Sequence, residues 1–576
     1  MNPNSSTRQR LIFLLGAWLA LLWPHDALQA AELPPGAEAG RQLIEPGKPP
    51  SLPMEIRKPP ILMPQEDAVA QTPPGDDDVR FLLGGVTLEG VTLLEAKETD
   101  ALVQPLLGKE VSLSRLFELA RELTALYRGK GYLLAQVSLP PQRIGLEGAV
   151  HLQAIEGSIE SIDIEGGDPR GEPLIRAYLD PLLNDKSVTI ARIERALLLA
   201  EDLEGVAVNT RLGAGSVSGK LKMVIKVQRD DVSGQLYYDN MSSPYQGRDQ
   251  AMLTGQINNL FGHSDYTRVS LQKPFDSSKM TNWAFMQGIM LGNSGARLEL
   301  SYSDSETHPG DDLQVYQLQG NAKLSKAQVL LPLQRSRYYN LRAQFGVQHL
   351  DSRQTEFNGE VDLYHDRLNM LTAGGSVDWQ DNWQGGGLSI LMLNFTQGVS
   401  ADPSLPSRKN AKGEFAKLDF FFNRFQVISE KVSLQLSAGG QYAWAPLVSS
   451  AQYGLGSYPF GRGFEPSTIV GSQALAGKLE LRYDLLEAIG KHISPSISQL
   501  SVFGFYDGGK EWDYYGTSAS LSSNGIGLRG VLDAYSTRNI DKRSLDFEVF
   551  VAWKQHAPSY IANTSPVLRA RVIMNF

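Results

Sequence analysis

The chain has 576 residues and carries 54 Lys and Arg against 63 Asp and Glu, a formal net charge of -9, which argues against a nucleic-acid partner. It contains no cysteine, so disulfides, thiolate metal sites and cysteine nucleophiles are excluded. The length exceeds one ordinary soluble core, and 55 glycines with 21 tyrosines and 21 phenylalanines suit a β-rich chain with many turns.

At the N-terminus, Arg8 and Arg10 precede the apolar run Leu11 to Leu22, and small residues follow at Ala27, Ala30 and Ala31. Basic, then apolar, then small is the order of a signal peptide, here over residues 1–30. The run is short of the about 20 apolar residues a membrane helix needs, and no later segment reaches that length. A mature chain that meets a membrane is therefore expected to do so as a closed β-barrel. Residues 31–78 are crowded with proline, including Pro34-Pro35, Pro49-Pro50, Pro59-Pro60 and Pro73-Pro74, the composition of an extended linker. Between the first pair and Pro46, Ala37 to Ile44 has room for a short plug helix, and an extended tether fits equally well.

From residue 79 the pattern becomes α/β. Phe81 to Gly90 reads as a strand. Leu113 to Gly129 has helical spacing, with Leu116, Leu119, Ala120, Leu123 and Leu126 on one face, Ser112 or Ser114 able to cap its start and Gly129 to end it. Tyr132 to Leu139 and Ala149 to Ile155 read as strands. The theme then repeats: a strand over Ile159 to Ile164, helices over Pro173 to Leu183 and Ile190 to Ala200, and strands over Val206 to Leu212 and Lys220 to Val227. Two successive units, 79–157 and 158–230, are the simplest parse.

Beyond residue 231 there is alternation and no long helical pattern, with about sixteen strand-like segments at roughly 21 residues per strand and connection, as expected of tilted membrane strands. Leu475, Gly477, Leu479, Leu481 and Tyr483 alternate with Ala476, Lys478, Glu480, Arg482 and Asp484. In a soluble sandwich the charged face would meet water; in a barrel the apolar face meets lipid and the charged face lines a lumen. Leu313 to Leu333 reads as one long strand or two short ones. The last strand puts Leu568, Ala570, Val572, Met574 and Phe576 on one face.

The residues "VTLEG", "LTALYRGKGYLLAQVSLPPQRI" and "HLQAIEG" of the first unit resemble a POTRA domain in order and spacing, with Tyr127, Gly131, Tyr132, Pro140, Pro141 and Gln142 on the family pattern. The second unit is similar in a looser way. Signal, proline-rich linker, two POTRA-like units and a β-rich remainder resemble the two-partner secretion transporters, the TpsB family of ShlB/FhaC/HecB-like haemolysin secretion/activation proteins. The resemblance implies a transmembrane β-barrel of 16 antiparallel strands over 231–576, preceded by two α/β POTRA domains. It implies the outer membrane of a Gram-negative bacterium as the location, with the POTRA domains in the periplasm. The six POTRA residues would recognise the passenger. A terminal strand ending in Phe576, with Met574 on its face, resembles the signal read by the barrel-assembly machinery.

Between the eleventh and twelfth strands lies a Gly- and Ser-rich loop, roughly residues 446–471, containing Gly461-Arg462-Gly463-Phe464. Glycines around an arginine allow a tight turn that presents one fixed guanidinium. By itself this is equally a surface hairpin with its arginine in water. The family carries an Arg-Gly-Tyr/Phe motif on a loop folded into the lumen; Arg462, Gly463 and Phe464 match it, while Gly461 stands where an apolar residue is commoner. Phe505 and Asp507 match the family's Phe-x-Asp motif on the inner wall. An arginine fork and a carboxylate can pair bidentately, and Arg462 is expected to bond Asp507 and pin the loop inside the barrel.

No nucleophile stands beside a base in these motifs, the eight histidines are scattered, and Gly490-Lys491 lacks a P-loop's first glycine. No enzyme activity, cofactor or metal is expected. The expected function is export of an unfolded adhesin- or haemolysin-type exoprotein without ATP, with outer-membrane lipid and the assembly machinery as further partners. The alternative is an insertase that assembles other outer-membrane barrels.

Overall fold

A computed structural model of the chain describes residues 34–44, 61–62, 79–217, 219–276, 279–400, 405–411, 413–486, 497–514, 516–533, 543–562 and 565–576. The signal-peptide expectation lies outside them.

Sixteen strands form a closed barrel in which each pairs antiparallel with its neighbours in the chain. Lipid offers backbone groups no hydrogen bonds, so only closure satisfies the two edges. The first strand, Val232–Asp239, meets the last, Val567–Asn575, in register from Gln235–Asn575 to Asp239–Arg571. Beyond the ladder, Gly234 and Phe576 exchange both backbone bonds at 2.7 and 3.0 Å. At the other end the Asn240 side chain continues the seam, accepting from Ala570 N at 2.8 Å and donating to Leu568 O at 3.2 Å. Alternation sorts the two faces: Leu475, Leu479, Leu481 and Tyr483 are exposed on the outside, while Lys478, Glu480 and Arg482 are buried on the inside. The segment around 313–333 is a 3-10 turn, Asp311–Tyr316, followed by one strand of 17 residues, Gln319–Arg335.

The two N-terminal units share a main order of strand, helix, helix, strand, strand, to which the first adds the short pair Arg80–Leu82 and Glu110–Ser112. In the first, Ala149–Glu156 is the central strand, parallel to Gly85–Glu89 and antiparallel to Ala135–Ser138. The helices Ala96–Val103 and Leu113–Gly129 cover this sheet. In the second, Lys220–Arg229 is central, between Ser158–Gly166 and Val206–Ala214, with helices Glu172–Leu179 and Ile190–Glu201. Linker residues Ile61–Leu62 run parallel to Val206–Ala214 on its outer edge.

Several elements differ from expectation. Residues 81–90 are not one strand: Arg80–Leu82 pairs with Glu110–Ser112, and a new strand begins at Gly85. The break is at Gly84, where a Cβ would lie 1.9 Å from Glu147 O. The helix Ala96–Val103 was not expected, because only Thr99 and Val103 of its eight residues are buried. Its start is fixed by a reciprocal Glu95–Glu98 capping box. The helix expected over 173–183 stops at Leu179, since Pro181 supplies no amide hydrogen and turns the chain into a 3-10 segment. The strand expected from Tyr132 begins at Ala135, after a turn at Gly131 with φ +88°.

The second unit is seated on the barrel rim by charge. Arg335 donates to both Asp202 oxygens at 2.8 Å, Arg195 donates to Pro332 O at 3.2 Å, and Arg337 forms an ion pair with Glu194 at 2.8 Å. At the N-terminus, the turn Pro35–Ala37 and helix Ala39–Ile44 lie inside the barrel. Ala37 packs on Leu313 and Leu318, and Gly40 is so close to the seventh strand that a Cβ would lie 2.5 Å from Ser352 Oγ.

Candidate functional site

The loop between the eleventh strand, Val432–Ala443, and the twelfth, Gln473–Asp484, folds back into the lumen as a hairpin. Tyr453–Leu455 pairs with Ile469–Gly471 to form its stem. Phe460, Phe464 and Ile469 are buried against Ala474, Ala476 and Leu521 of the wall, an apolar patch that offsets the cost of ordering the loop. Two short turns shape the tip: Gly456 N donates to Phe460 O at 3.1 Å and Ser457 N to Gly461 O at 2.9 Å. Gly461 sits at φ +95°, and a Cβ there would be 2.7 Å from Leu521. That is a physical reason for glycine at a place where the resembling family is more often apolar.

Arg462 is the functional side chain that this turn presents, and it has no exposed side-chain surface. Its Nε donates to Asp507 Oδ2 at 2.7 Å, and its Nη1 to Glu480 Oε2 at 2.8 Å. Asp507 Oδ1 accepts from the backbone amides of Gly461 at 3.1 Å and Arg462 at 3.2 Å, and from Ser523 Oγ. Ser523 Oγ in turn accepts from Gly463 N at 3.0 Å. The guanidinium carbon lies 3.4 Å from the Phe505 ring centroid, with the Phe503 and Phe550 rings near 6 Å. Two carboxylates and an aromatic face compensate the buried cation, while its Nη2 has no hydrogen-bond partner among the described residues.

The thirteenth strand, Ile497–Trp512, supplies this wall. Phe503, Phe505 and Asp507 face inward and are buried, while Val502 and Tyr506 face outward. The structure thus brings Gly461, Arg462, Gly463, Phe464, Phe505 and Asp507 together. The partner that motif reasoning missed is Glu480, which also meets Arg482 Nε at 2.8 Å, Arg529 at 3.4 Å and Lys478 at 3.9 Å. The network runs on through Glu548, which accepts from Arg529 at 2.7 Å and Arg571 at 2.8 Å. The available signal was the charged row Lys478, Glu480, Arg482 on an inward face. The arrangement holds the loop tip against the barrel wall through ion pairs and backbone hydrogen bonds.

The POTRA-pattern residues fall in three places. Tyr127 is fully buried, its hydroxyl donating to Glu156 at 2.8 Å, so the expectation that it touches a passenger is corrected: it is a core residue. Glu156 also accepts from Thr92 N at 2.5 Å, Leu93 N at 2.7 Å and the Thr92 hydroxyl. Burial pushes this carboxyl up, but the Thr92, Tyr127 and Leu93 hydrogen bonds outweigh it and hold it below the usual carboxylate range. Gly131 O accepts from Ile190 N at 2.9 Å at the junction of the two units, and Tyr132 packs edge-on to Tyr127. After Pro140 and Pro141, the Gln142 amide imitates a strand residue: its Nε2 donates to His151 O at 2.7 Å and its Oε1 accepts from His151 N at 2.8 Å. The edge strand Ala135–Ser138 is closed on its outer side, with Ala135 N on Tyr132 O and Val137 N on Thr124 Oγ1. Gly85–Glu89 carries no strand on its outer side among the described residues. Met574 and Phe576 point outward, and Phe576 covers Gly234, where a Cβ would be 2.3 Å from its ring.

The family model described as haemolysin secretion/activation protein ShlB/FhaC/HecB matches residues 219–530, and that of the ShlB-type POTRA domain matches residues 81–157. The heme/hemopexin transporter protein HuxB of Haemophilus influenzae (strain 86-028NP) is 26% identical over 440 residues, 74% of this chain and 75% of that protein. The hemolysin transporter protein ShlB of Serratia marcescens is 29% identical over 198 residues, 34% of each. Among solved structures, CdiB from Escherichia coli superposes with a TM-score of 0.69 at 20% identity, covering 90% of this chain and 94% of that one. The chain belongs to the ShlB/FhaC/HecB family of haemolysin secretion/activation proteins, outer-membrane β-barrel transporters with periplasmic POTRA domains.

Proposed function

We propose that this protein captures an unfolded exoprotein through its first POTRA unit and exports it through the barrel without ATP, the passenger being an adhesin- or haemolysin-type chain. The observation that carries this reading is a lumen filled by a folded-in loop and held from two strands by one arginine, since a plain porin keeps its lumen open. An extended passenger segment adds to the outer edge of Gly85–Glu89 through backbone bonds, with neighbouring pockets giving specificity. Folding of each passenger domain outside, typically about 5–15 kcal/mol, makes the step irreversible. Arg462 and Asp507 pin the loop during closure, and the Phe576 strand is the element recognised during assembly into the lipid.

Two experiments test this with a co-expressed passenger. Deleting residues 79–157 abolishes capture while the barrel still inserts; normal passenger binding by the truncated protein counts against the reading. Asp507→Arg stops secretion, and adding Arg462→Asp restores part of it; secretion indifferent to both changes rules out the lock. The insertase alternative needs a wall that opens sideways, and the fully bonded seam with its Asn240 extension favours passage along the lumen.

A further inference from the structure

The barrel closes on its shortest ladder. The first and last strands share five residue pairs, Gln235–Asn575 to Asp239–Arg571, where the next shortest ladder, between the third strand, Tyr266–Pro274, and the fourth, Met280–Leu291, has seven. Strand edges left unpaired in lipid are costly, and side chains take over where this ladder stops. At the extracellular end, Asn240 bonds across to Ala570 N and Leu568 O. From the last strand, Arg569 Nη1 donates back to Asn240 O at 2.8 Å.

The luminal finger lies across this end of the seam from inside. Glu465, just past Arg462, places its Oε1 3.2 Å from Arg569 Nη2 of the last strand. The same oxygen pairs with Arg248 Nη1, in the segment that follows the first strand. On the first-strand side Ser457 Oγ donates to Met241 O at 3.1 Å. On the last-strand side the Arg571 guanidinium carbon lies 5.2 Å from the Tyr458 ring centroid. The two arms of Glu465 are unequal. Arg248 is 46% exposed, so water screens that pair. Arg569 is 4% exposed, and removing the carboxylate beside it leaves a cation out of water without its ion-pair partner.

We propose that the finger is a splint for the closing seam of the barrel, and that Glu465 is its positioning residue, one carboxylate holding the last strand to the segment after the first. The loop then has two attachments with separate tasks. Arg462 fixes the finger to the twelfth and thirteenth strands, and Glu465 uses that fixed position to hold the two ends of the wall together. Drawing the finger away from the wall frees the outer end of the seam. The splint is independent of what crosses the barrel.

Amide hydrogen exchange of the full-length protein in lipid nanodiscs, read by mass spectrometry of peptides, tests this without a passenger. Glu465→Gln keeps the shape of the side chain and removes its charge. It is expected to speed exchange about ten-fold in residues 236–242 and 567–572, while the fourth strand and the fifth, Ala296–Thr307, stay within about two-fold. Arg569→Met is expected to loosen the seam at least as much. Adding Glu465→Gln to Arg569→Met is expected to speed exchange by no more than about a further two-fold, since the pair is already broken. Arg248→Met, on the screened arm, is expected to give a smaller change, about two- to three-fold. An unchanged seam in Glu465→Gln, equal loosening of the fourth and fifth strands, or full multiplication of the Glu465→Gln and Arg569→Met effects overturns the splint. If heat-modifiable gel mobility shows that Arg569→Met does not fold, the cycle of Glu465→Gln with Arg248→Met is read by the same criteria. Export is not measured, so a failure of the transport reading and a failure of the splint give different results.

Discussion

Arg462 and Glu480 meet at 2.8 Å, Nη1 to Oε2, with no exposed surface on either side chain. Glu480 also meets Arg482 at 2.8 Å, Arg529 at 3.4 Å and Lys478 at 3.9 Å. Glu480→Gln would remove one carboxylate shared by four cations, leaving Arg462 to Asp507 and Arg529 to Glu548. It is expected to destabilise the barrel by about 3–5 kcal/mol, the usual cost of removing one partner from a buried ion pair. The check is the temperature at which heat-modifiable gel mobility is lost. Adding Arg462→Met should cost less than the sum of the two single changes, since they share one network.

In the first POTRA unit, Tyr127→Phe removes one of the donors on Glu156 and is expected to cost about 1 kcal/mol, with the fold retained. Because the folded carboxyl titrates below its ordinary range, its contribution is fully present above the unfolded value and is lost as pH falls through the lowered folded value. Urea unfolding of the isolated unit should therefore show stability flat at neutral pH and falling only below the ordinary carboxylate range. Glu156→Gln should abolish that part of the acid dependence. An unchanged acid limb in Glu156→Gln would refute the assignment.

The seat of the second unit depends on Asp202 with Arg335 and Glu194 with Arg337. Asp202→Ala or Arg335→Ala should speed amide hydrogen exchange in residues 190–203 and make it sensitive to salt. The coupling in the double-mutant cycle is expected to be about 1 kcal/mol, modest because Asp202 is partly exposed. Additive effects of the two changes would show that the pair contributes nothing.

At the seam, Gly234→Val would place its branched side chain inside the Phe576 ring. The folded fraction recovered in membranes should fall by several-fold, as should that of Phe576→Ala, while the soluble POTRA region remains intact to proteolysis. Gly234→Ala paired with Phe576→Leu should recover part of the loss, because the smaller terminal side chain makes room. No recovery would argue that Phe576 acts in assembly alone and not in closing the wall.

Much of this was readable from period and face. A two-residue alternation is enough to place Asp507 inward with Phe503 and Phe505, and Lys478, Glu480 and Arg482 on the opposite face from Leu479 and Leu481. What alternation cannot supply is register between strands. Glu480 reaches Arg462 because the closed wall sets Glu480 opposite Phe505 and Lys478 opposite Asp507, and that pairing follows from the stagger of the whole cylinder. Tyr127 was misread for a related reason: a motif identifies a residue without stating how its helix is rotated, and here the ring points into the core. The 96–103 helix buries two residues and therefore has no apolar stripe to detect. The luminal helix at 39–44 is too short for periodicity to separate it from a tether.

The Asp507 carboxylate grips the loop in two ways, by its Oδ2 on the guanidinium and by its Oδ1 on the main-chain amides of Gly461 and Arg462. The amide grip does not depend on which residue occupies position 462. Truncating the arginine would therefore leave the finger tethered by its spine, whereas removing the aspartate takes away both grips and leaves Glu480, Ser523 and the apolar patch to hold it. The attachment is lopsided: the wall residue is the keystone, and the finger can lose its fingernail without falling out of the glove.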